Sequence, residues 1–204
     1  MTEDLVEKFW DTQHTANNTD ALSGCDYKET IAFLHLNSYI QKDTKVLEIG
    51  VGLGYVTQGL YEAGAKVSAL DISDVALARV TPYCEHTYSI KDIKSISSDY
   101  YDVIICNNVV QHVPTKLLIE ELEEIVRVLN THGVLAIEFV SNKSFEDNGE
   151  QPSLDDIKNG GLCRSPGFLE KIFNDMHCMC AAPFSREVDI GIVQGHHVFH
   201  VVKV

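Results

Sequence analysis

Apolar positions along this chain recur in two rhythms that alternate. Short, nearly continuous apolar runs at 46–49, 65–71, 101–106 and 134–140 are bounded by Gly, Asp, Asn or Ser, which is the pattern of strands buried on both faces of a sheet. A weaker run at 87–90 reads as a further strand, and 176–183 with 197–204 read as a closing antiparallel pair. Between them the spacing turns helical. Residues 5–10 and 27–40 carry it first, with Ile31, Phe33 and Leu34 turned to the core, and 57–63 and 75–80 follow, the last stopped by Thr81-Pro82. Residues 115–130 place Leu118, Leu122, Ile125, Val126 and Leu129 on one face and Glu120, Glu121, Glu123 and Glu124 largely off it; Gly133 is expected as a left-handed cap. Ser165 and Pro166 open a last helix to Asp175. Strand and helix in regular alternation imply an α/β fold with a doubly wound, mostly parallel sheet.

The chemistry concentrates where the first strand ends. Glu48, Gly50, Gly52 and Gly54 form E-x-G-x-G-x-G directly before a helix. Glycine supplies backbone angles closed to other residues and lets the main chain approach a ligand, while a helix N-terminus presents free N–H groups to negatively charged ligand groups. A dinucleotide fingerprint needs G-x-G-x-x-G, and Tyr55 stands where its third glycine belongs. Glu48 adds a carboxylate inside the strand end, costly to bury unless a cation or a hydrogen-bond donor meets it. An ammonium-bearing ligand would do so. Asp71 ends the second strand at the carboxyl edge of the sheet, where ligands of doubly wound folds lie, and a carboxylate there can hold both hydroxyls of a ribose.

The run VLEIGVGLG resembles motif I of the class I S-adenosylmethionine (SAM)-dependent methyltransferases, and Leu70-Asp71-Ile72-Ser73 is similar to their second motif. The resemblance covers roughly residue 44 to the last residue. It implies a seven-stranded Rossmann-like sheet with one antiparallel C-terminal strand, SAM as cofactor and S-adenosylhomocysteine as product. On the same resemblance Asp71 and Ile72 bind the ribose region, and Asp92 with Ile93 meet the adenine. Asn107 and Asn108, at the end of the fourth strand, are placed to orient the sulfonium or the acceptor. His112, in the loop that follows, is the candidate general base, with substrate positioning and plain loop packing as the alternatives. An N-terminal helical cap, residues 1–43, is implied over the pocket; Trp10 and His14, one turn apart, are its candidate substrate contacts, against a hydrophobic anchor and a surface histidine. The strand-four loop lacks the Asn-Pro-Pro-Tyr signature of enzymes that methylate nucleic-acid bases, since Asn108 and Val109 stand where prolines would.

Charge supports a small-molecule acceptor. The 204 residues carry a net charge of −14, whereas polyanion binding relies on Lys and Arg to displace counterions, so no nucleic-acid partner is expected. No apolar run approaches a membrane span and the acidic start is unlike a signal peptide, which points to a cytoplasmic protein with no membrane partner. No linker divides the chain, so 1–204 reads as a single domain, a cap at 1–43 and a core at 44–204. Within the core, 141–164 is a polar, acidic stretch: a lid or binding loop, or a simply solvated insertion. The six cysteines are scattered and read as small buried apolar residues. Cys178-Met179-Cys180 lacks the spacing of a zinc knuckle, and His196-His197-Val198-Phe199-His200 reads as a terminal strand with no carboxylate ligand nearby in sequence, so no metal is expected.

These observations favour a SAM-dependent methyltransferase acting on a small molecule, with O-methylation ahead of N-methylation. A non-catalytic SAM-binding regulatory or partner subunit is the alternative. An NAD(P)-dependent oxidoreductase is opposed by Tyr55 and Glu48. The sequence leaves the oligomeric state open.

Overall fold

A computed structural model describes residues 3–16, 26–141, 164–181, 184–186 and 195–204. Among them the strands are β1 (Lys45–Ile49), β2 (Lys66–Asp71), β3 (His86–Ser89), β4 (Tyr101–Asn107), β5 (Leu129–Ser141), β6 (Cys178–Cys180), β7 (Phe184–Arg186) and β8 (Gly195–Lys203). The helices are α1 (Glu3–Thr15), α2 (Tyr27–Phe33), α3 (Tyr55–Glu62), α4 (Asp74–Val80), α5 (Thr115–Val128) and α6 (Pro166–Asp175). Short 3-10 turns at Thr81–Tyr83, Ile90–Ser95 and Val110–His112 join several of them. No described helix is long and apolar enough to cross a membrane.

All eight strands lie in one sheet of order β3-β2-β1-β4-β5-β8-β6, with β7 also paired to β8. β6 and β7 take successive stretches of the same edge, opposite Val201–Lys203 and then His196–Val198, so together they fill one position. β1 to β5 run parallel, β8 runs against β5, and β6 and β7 run against β8. The result is seven positions, six parallel and one reversed, the doubly wound architecture expected from the sequence. Strand order changes direction between β1 and β4, and ligands of such sheets bind beyond the strand ends at that point.

Period-two alternation in β1 distributes its residues between two apolar layers. Leu47 and Ile49 pack on one face with Leu118, Leu122 and Ile125 of α5 and Leu169 and Phe173 of α6. Val46 faces the other way, toward Ile31 and Leu34 from the α2 end and Val56 and Leu60 of α3. Glu48 shares that second face by alternation, so its carboxylate lies under α2 and α3 rather than in the α5 layer. A smaller cluster joins Val51 and Ala69 to Ala76, Leu77 and Val80 of α4.

Three element ends differ from the sequence pattern. α1 continues through Thr15, so Trp10 and His14 share one unbroken helix. The helix expected over 27–40 ends at Phe33, because His35 takes a left-handed φ of 54° and the N–H groups of His35 and Leu36 return to the carbonyls of Ala32 and Ile31 at 3.1 and 2.9 Å. α5 stops at Val128, and the left-handed residue beyond it is His132 (φ 65°) rather than Gly133. Gly133 is needed for close approach instead: a Cβ there would stand 2.9 Å from the Asn130 carbonyl oxygen and 3.0 Å from that of Asp102. The acidic stretch 142–163 and the loop 17–20 lie outside the described residues.

Candidate active site

The apolar run of β1 carries the chain to the carboxyl edge of the sheet, where Gly50, Gly52 and Gly54 all take positive φ (71°, 55° and 84°). That backbone folds the loop back on itself. Gly54 donates to the Val51 carbonyl at 2.9 Å and starts α3 without any side-chain cap. A Cβ on Gly52 would meet nothing within 4 Å, so this glycine faces open space, whereas Gly50 is backed by Val109 and Gly54 by Val80. The loop is therefore a bare stretch of main chain with a wall behind it. Thr30, Glu48, Gly50, Gly52, Tyr55 and Asn107 contribute to the lining of the cleft it forms. Thr30 is buried and its hydroxyl has no partner, a polar atom held ready beside the glycines.

Two carboxylates flank this loop. The Thr57 hydroxyl of α3 donates to Glu48 at 2.6 Å. Burial pushes the Glu48 carboxyl up to about 8, with Asp71 adding to the rise and the Thr57 hydrogen bond opposing it. Asp71 accepts from the Val51 N–H at 2.8 Å and the Ser73 N–H at 2.9 Å, so it ties the glycine loop to the end of β2. Burial raises it to about 6, against the pull of those N–H groups and of Gly52 and Ile72. A carboxylate has about four lone-pair sites; Val51 and Ser73 take one on each oxygen, and a diol would share the remaining ones with the Gly52 and Ile72 N–H groups.

These shifts have a direct consequence for pH dependence. A carboxyl whose folded pKa is raised favours the folded state at low pH, and that contribution is lost as pH rises through the folded value. For Glu48 the window runs from its ordinary 4.5 to about 8, and for Asp71 from 3.8 to about 6. Below about pH 6.5 the two acids are opposed by the buried histidines His14 and His112, whose lowered values make stability rise with pH. The ligand-free protein should therefore lose thermal stability mainly from about pH 6.5 to 8, and Glu48→Gln should flatten most of that fall. Identical melting-temperature slopes for the two proteins would contradict this environment for Glu48.

The other residues singled out in the sequence divide by position. Asn107 lines the cleft beside Glu48. Asn108, at a left-handed φ of 58°, turns instead toward β5: its N–H donates to Glu138 at 2.9 Å and its side-chain oxygen accepts from Gln111 at 3.2 Å. Ile72 is half-buried after β2. In the turn after β3, Asp92 is exposed, while Ile93 is buried in the core layer that also holds Leu70. Among the described residues no group of three or more His, Cys, Asp or Glu is placed to hold a metal ion.

α1 lies across α4 and the loop ends. Asp11 accepts from the Ser73 hydroxyl at 2.6 Å, Arg79 donates to the His14 carbonyl at 3.1 Å, and Lys91 pairs with Glu7 at 2.7 Å. Trp10 meets the His112 ring edge-on, 5.0 Å between centroids, and the His14 ring at 6.4 Å. Both imidazoles keep a buried Nδ1 without a partner, and both are lowered to about 4. Burial is the main cause in each, helped by the Arg164 guanidinium at His112 and that of Arg79 at His14. His14 is thus an interior residue, contrary to the surface alternative. His112 is neutral at physiological pH.

Several contributors carried little sequence signal. Thr30 and Asp11 act across long separations that no local pattern records. Glu138 was visible as a polar residue inside the apolar run 134–140; it is buried and sits in register with Asn107. Arg164, fully buried, reaches the turn that bears His112.

Residues 46–133 match the family model of a methyltransferase domain. The ubiquinone biosynthesis O-methyltransferase of Azoarcus sp. (strain BH72) is 32% identical over 78 residues, covering 34% of this chain and 34% of that protein. The match thus spans about a third of the curated relative. Among solved structures, the magnesium protoporphyrin IX methyltransferase of Synechocystis PCC 6803 with bound S-adenosylhomocysteine superposes with a TM-score of 0.71 at 15% identity, covering 100% of both chains. The 1,6-didemethyltoxoflavin-N1-methyltransferase of Burkholderia thailandensis gives 0.71 at 13% identity, over 98% of this chain and 88% of that one. At such identities the likeness concerns the fold. The methyltransferase-domain match spans the glycine loop and both acidic strand ends, and the fold is one shared with solved methyltransferases.

Proposed function

We propose that this protein transfers a methyl group from SAM to a small-molecule acceptor, with oxygen as the favoured acceptor atom. The observation that carries the reading is the glycine loop held open between two buried acids, with the unpaired Thr30 hydroxyl beside it. These residues suit a ligand that joins an ammonium to a ribose. Glu48 and Asn107 would meet the amino-acid end, the main chain at Gly50 and Gly52 would lie along the ligand, and Asp71 would accept from the ribose hydroxyls. Asp92 and Ile93 would serve the adenine. Bound SAM supplies a methyl group already activated by its sulfonium.

What remains for the chain is to orient the acceptor and exclude water, and proximity of that kind is worth about 7–11 kcal/mol. α1 supplies the cover, with Trp10 over the strand-four turn. A hydroxyl acceptor must also lose a proton. With its proton on Nε2, His112 offers a neutral Nδ1 that would receive the hydroxyl hydrogen once Trp10 shifts aside. His112→Ala should lower turnover about 10²-fold while SAM affinity stays nearly unchanged. Because His112 charges only near pH 4, its loss of function on acidification should fall there, and an acid limb near the ordinary histidine value would count against it. Oxygen is preferred over nitrogen on the curated relative's O-methyltransferase name, while the Burkholderia neighbour is named for N-methylation.

Calorimetric titration with SAM, S-adenosylhomocysteine and NAD tests the cofactor, and binding of NAD alone would end the proposal. Labelled SAM offered with hydroxyl and amine acceptors tests the transfer. Tight SAM binding without turnover of any acceptor would point to a partner subunit.

A further inference from the structure

We propose that Arg164 is a positioning residue for His112, a role that rests on the reading above: its buried guanidinium grips the strand-four turn on both sides of the imidazole and fixes the ring toward the acceptor. Arg164 has no exposed surface, and its own N–H donates to the Val140 carbonyl at 2.8 Å, which anchors it to the end of β5. Its Nε donates to the Val110 carbonyl at 3.1 Å, one terminal nitrogen donates to the Val113 carbonyl, and the other donates to the Thr115 hydroxyl at 2.9 Å. The first two carbonyls bracket His112 in sequence, and Thr115 is the first residue of α5. One planar fork therefore sets the whole path from the end of β4 into α5.

The guanidinium geometry matters as much as the charge. Three contacts in fixed directions need the delocalised fork, which the single ammonium of lysine cannot reproduce. The charge acts on the same ring, since Arg164 opposes protonation of His112. The other groups around the imidazole are neutral or indirect. Trp10 covers it from α1 with His14 beyond, Gln111 precedes it in the turn, and Glu138 of β5 is linked through the Asn108 N–H. Among the described residues Arg164 is the charged group that bears on it.

Trp10 is the chain's one tryptophan and lies against His112, so it reports on this turn without any substrate. A protonated imidazole quenches indole emission, and the transition belonging to His112 is the one that disappears in His112→Ala. Emission should be followed against pH in the full chain for the unaltered protein, Arg164→Met and Arg164→Lys, with circular dichroism as the check on folding. Loss of the charge in Arg164→Met should move the His112 transition up by about one pH unit. Arg164→Lys should leave that transition low yet reduce kcat about tenfold with the KM for SAM unchanged, because the charge survives and the fork does not. If Arg164→Met fails to fold, the lysine variant still decides: the same transition and the same kcat as the unaltered protein would overturn the proposal. A folded Arg164→Met whose transition does not move would overturn it as well. Should the unaltered protein transfer no methyl group while the transition still shifts in Arg164→Met, the link between Arg164 and the ring stands and the methyltransferase reading fails separately.

Discussion

Gly50→Ala is expected to abolish measurable SAM binding and to lower the melting temperature of the ligand-free protein. The added Cβ would lie 2.3 Å from a methyl group of Val109, far inside contact distance. It would also sit on a backbone at φ +71°, which costs a residue with a side chain about 1–2 kcal/mol. Overpacking adds about 1–3 kcal/mol. Against a total stability of about 5–15 kcal/mol for an ordinary domain this is tolerable, so the protein should still fold. Relief of the clash, however, requires the glycine loop and the β4 turn to separate, which pulls apart the two walls that meet at the cleft. Calorimetry with SAM and a thermal melt on the same sample would check both parts. Unaltered SAM affinity would show that the loop does not line the cofactor site.

Asp71→Ala should be nearly as damaging by another route. It leaves the buried N–H groups of Val51 and Ser73 without their acceptor, at about 1–3 kcal/mol for each unpaired group. Ser73 also caps α4 through its hydroxyl and carries the hydrogen bond to Asp11, so α4 and α1 should both loosen. SAM affinity should drop by about 1–3 kcal/mol from the lost ribose contact alone. Asp71→Asn divides the two roles in part, because its one amide oxygen can accept from Val51 or from Ser73, which bond to different oxygens of Asp71, while its NH2 turns a donor toward the other N–H. Partial recovery of the melting temperature without recovery of affinity is the expected pattern, and full recovery of affinity would remove the ribose assignment.

The strand, loop and helix at 45–62 were legible in the sequence because everything that shapes them is local: an apolar run, alternate glycines, then helical spacing. α5 was legible for the same reason, since its apolar face repeats at the helical period. What escaped notice depends on distant partners. α2 ends in a left-handed histidine, His35, where the usual signal is glycine, so the pattern ran on to Ile40. Gly133 drew attention as a cap and proved to be a spacing requirement between two strands. At the site, Glu48 and Asp71 were readable because an acid at a strand end is conspicuous. The environment of His112 was not, since its neutrality comes from Trp10, about a hundred residues earlier, and Arg164, about fifty later, which meet only in the folded chain. The titration of a side chain is a property of its neighbours in space.

The reversed strand has a consequence for how the molecule is assembled. β8 follows both strands that it separates, and it pairs with β5 from Val134 to Ser141. A nascent chain that has emerged through α6 would therefore carry β5 as an unpaired, strongly apolar edge on one side, with the backbone donors and acceptors of that side available to a neighbour. Synthesis at about 5–20 residues per second holds the chain in that state for a second or more. Exposed edges of this kind template sticking between copies. Ribosome-bound intermediates of this protein should thus be the stage most in need of chaperone cover, and truncations that remove β8 should accumulate as aggregates rather than as soluble, partly folded sheets.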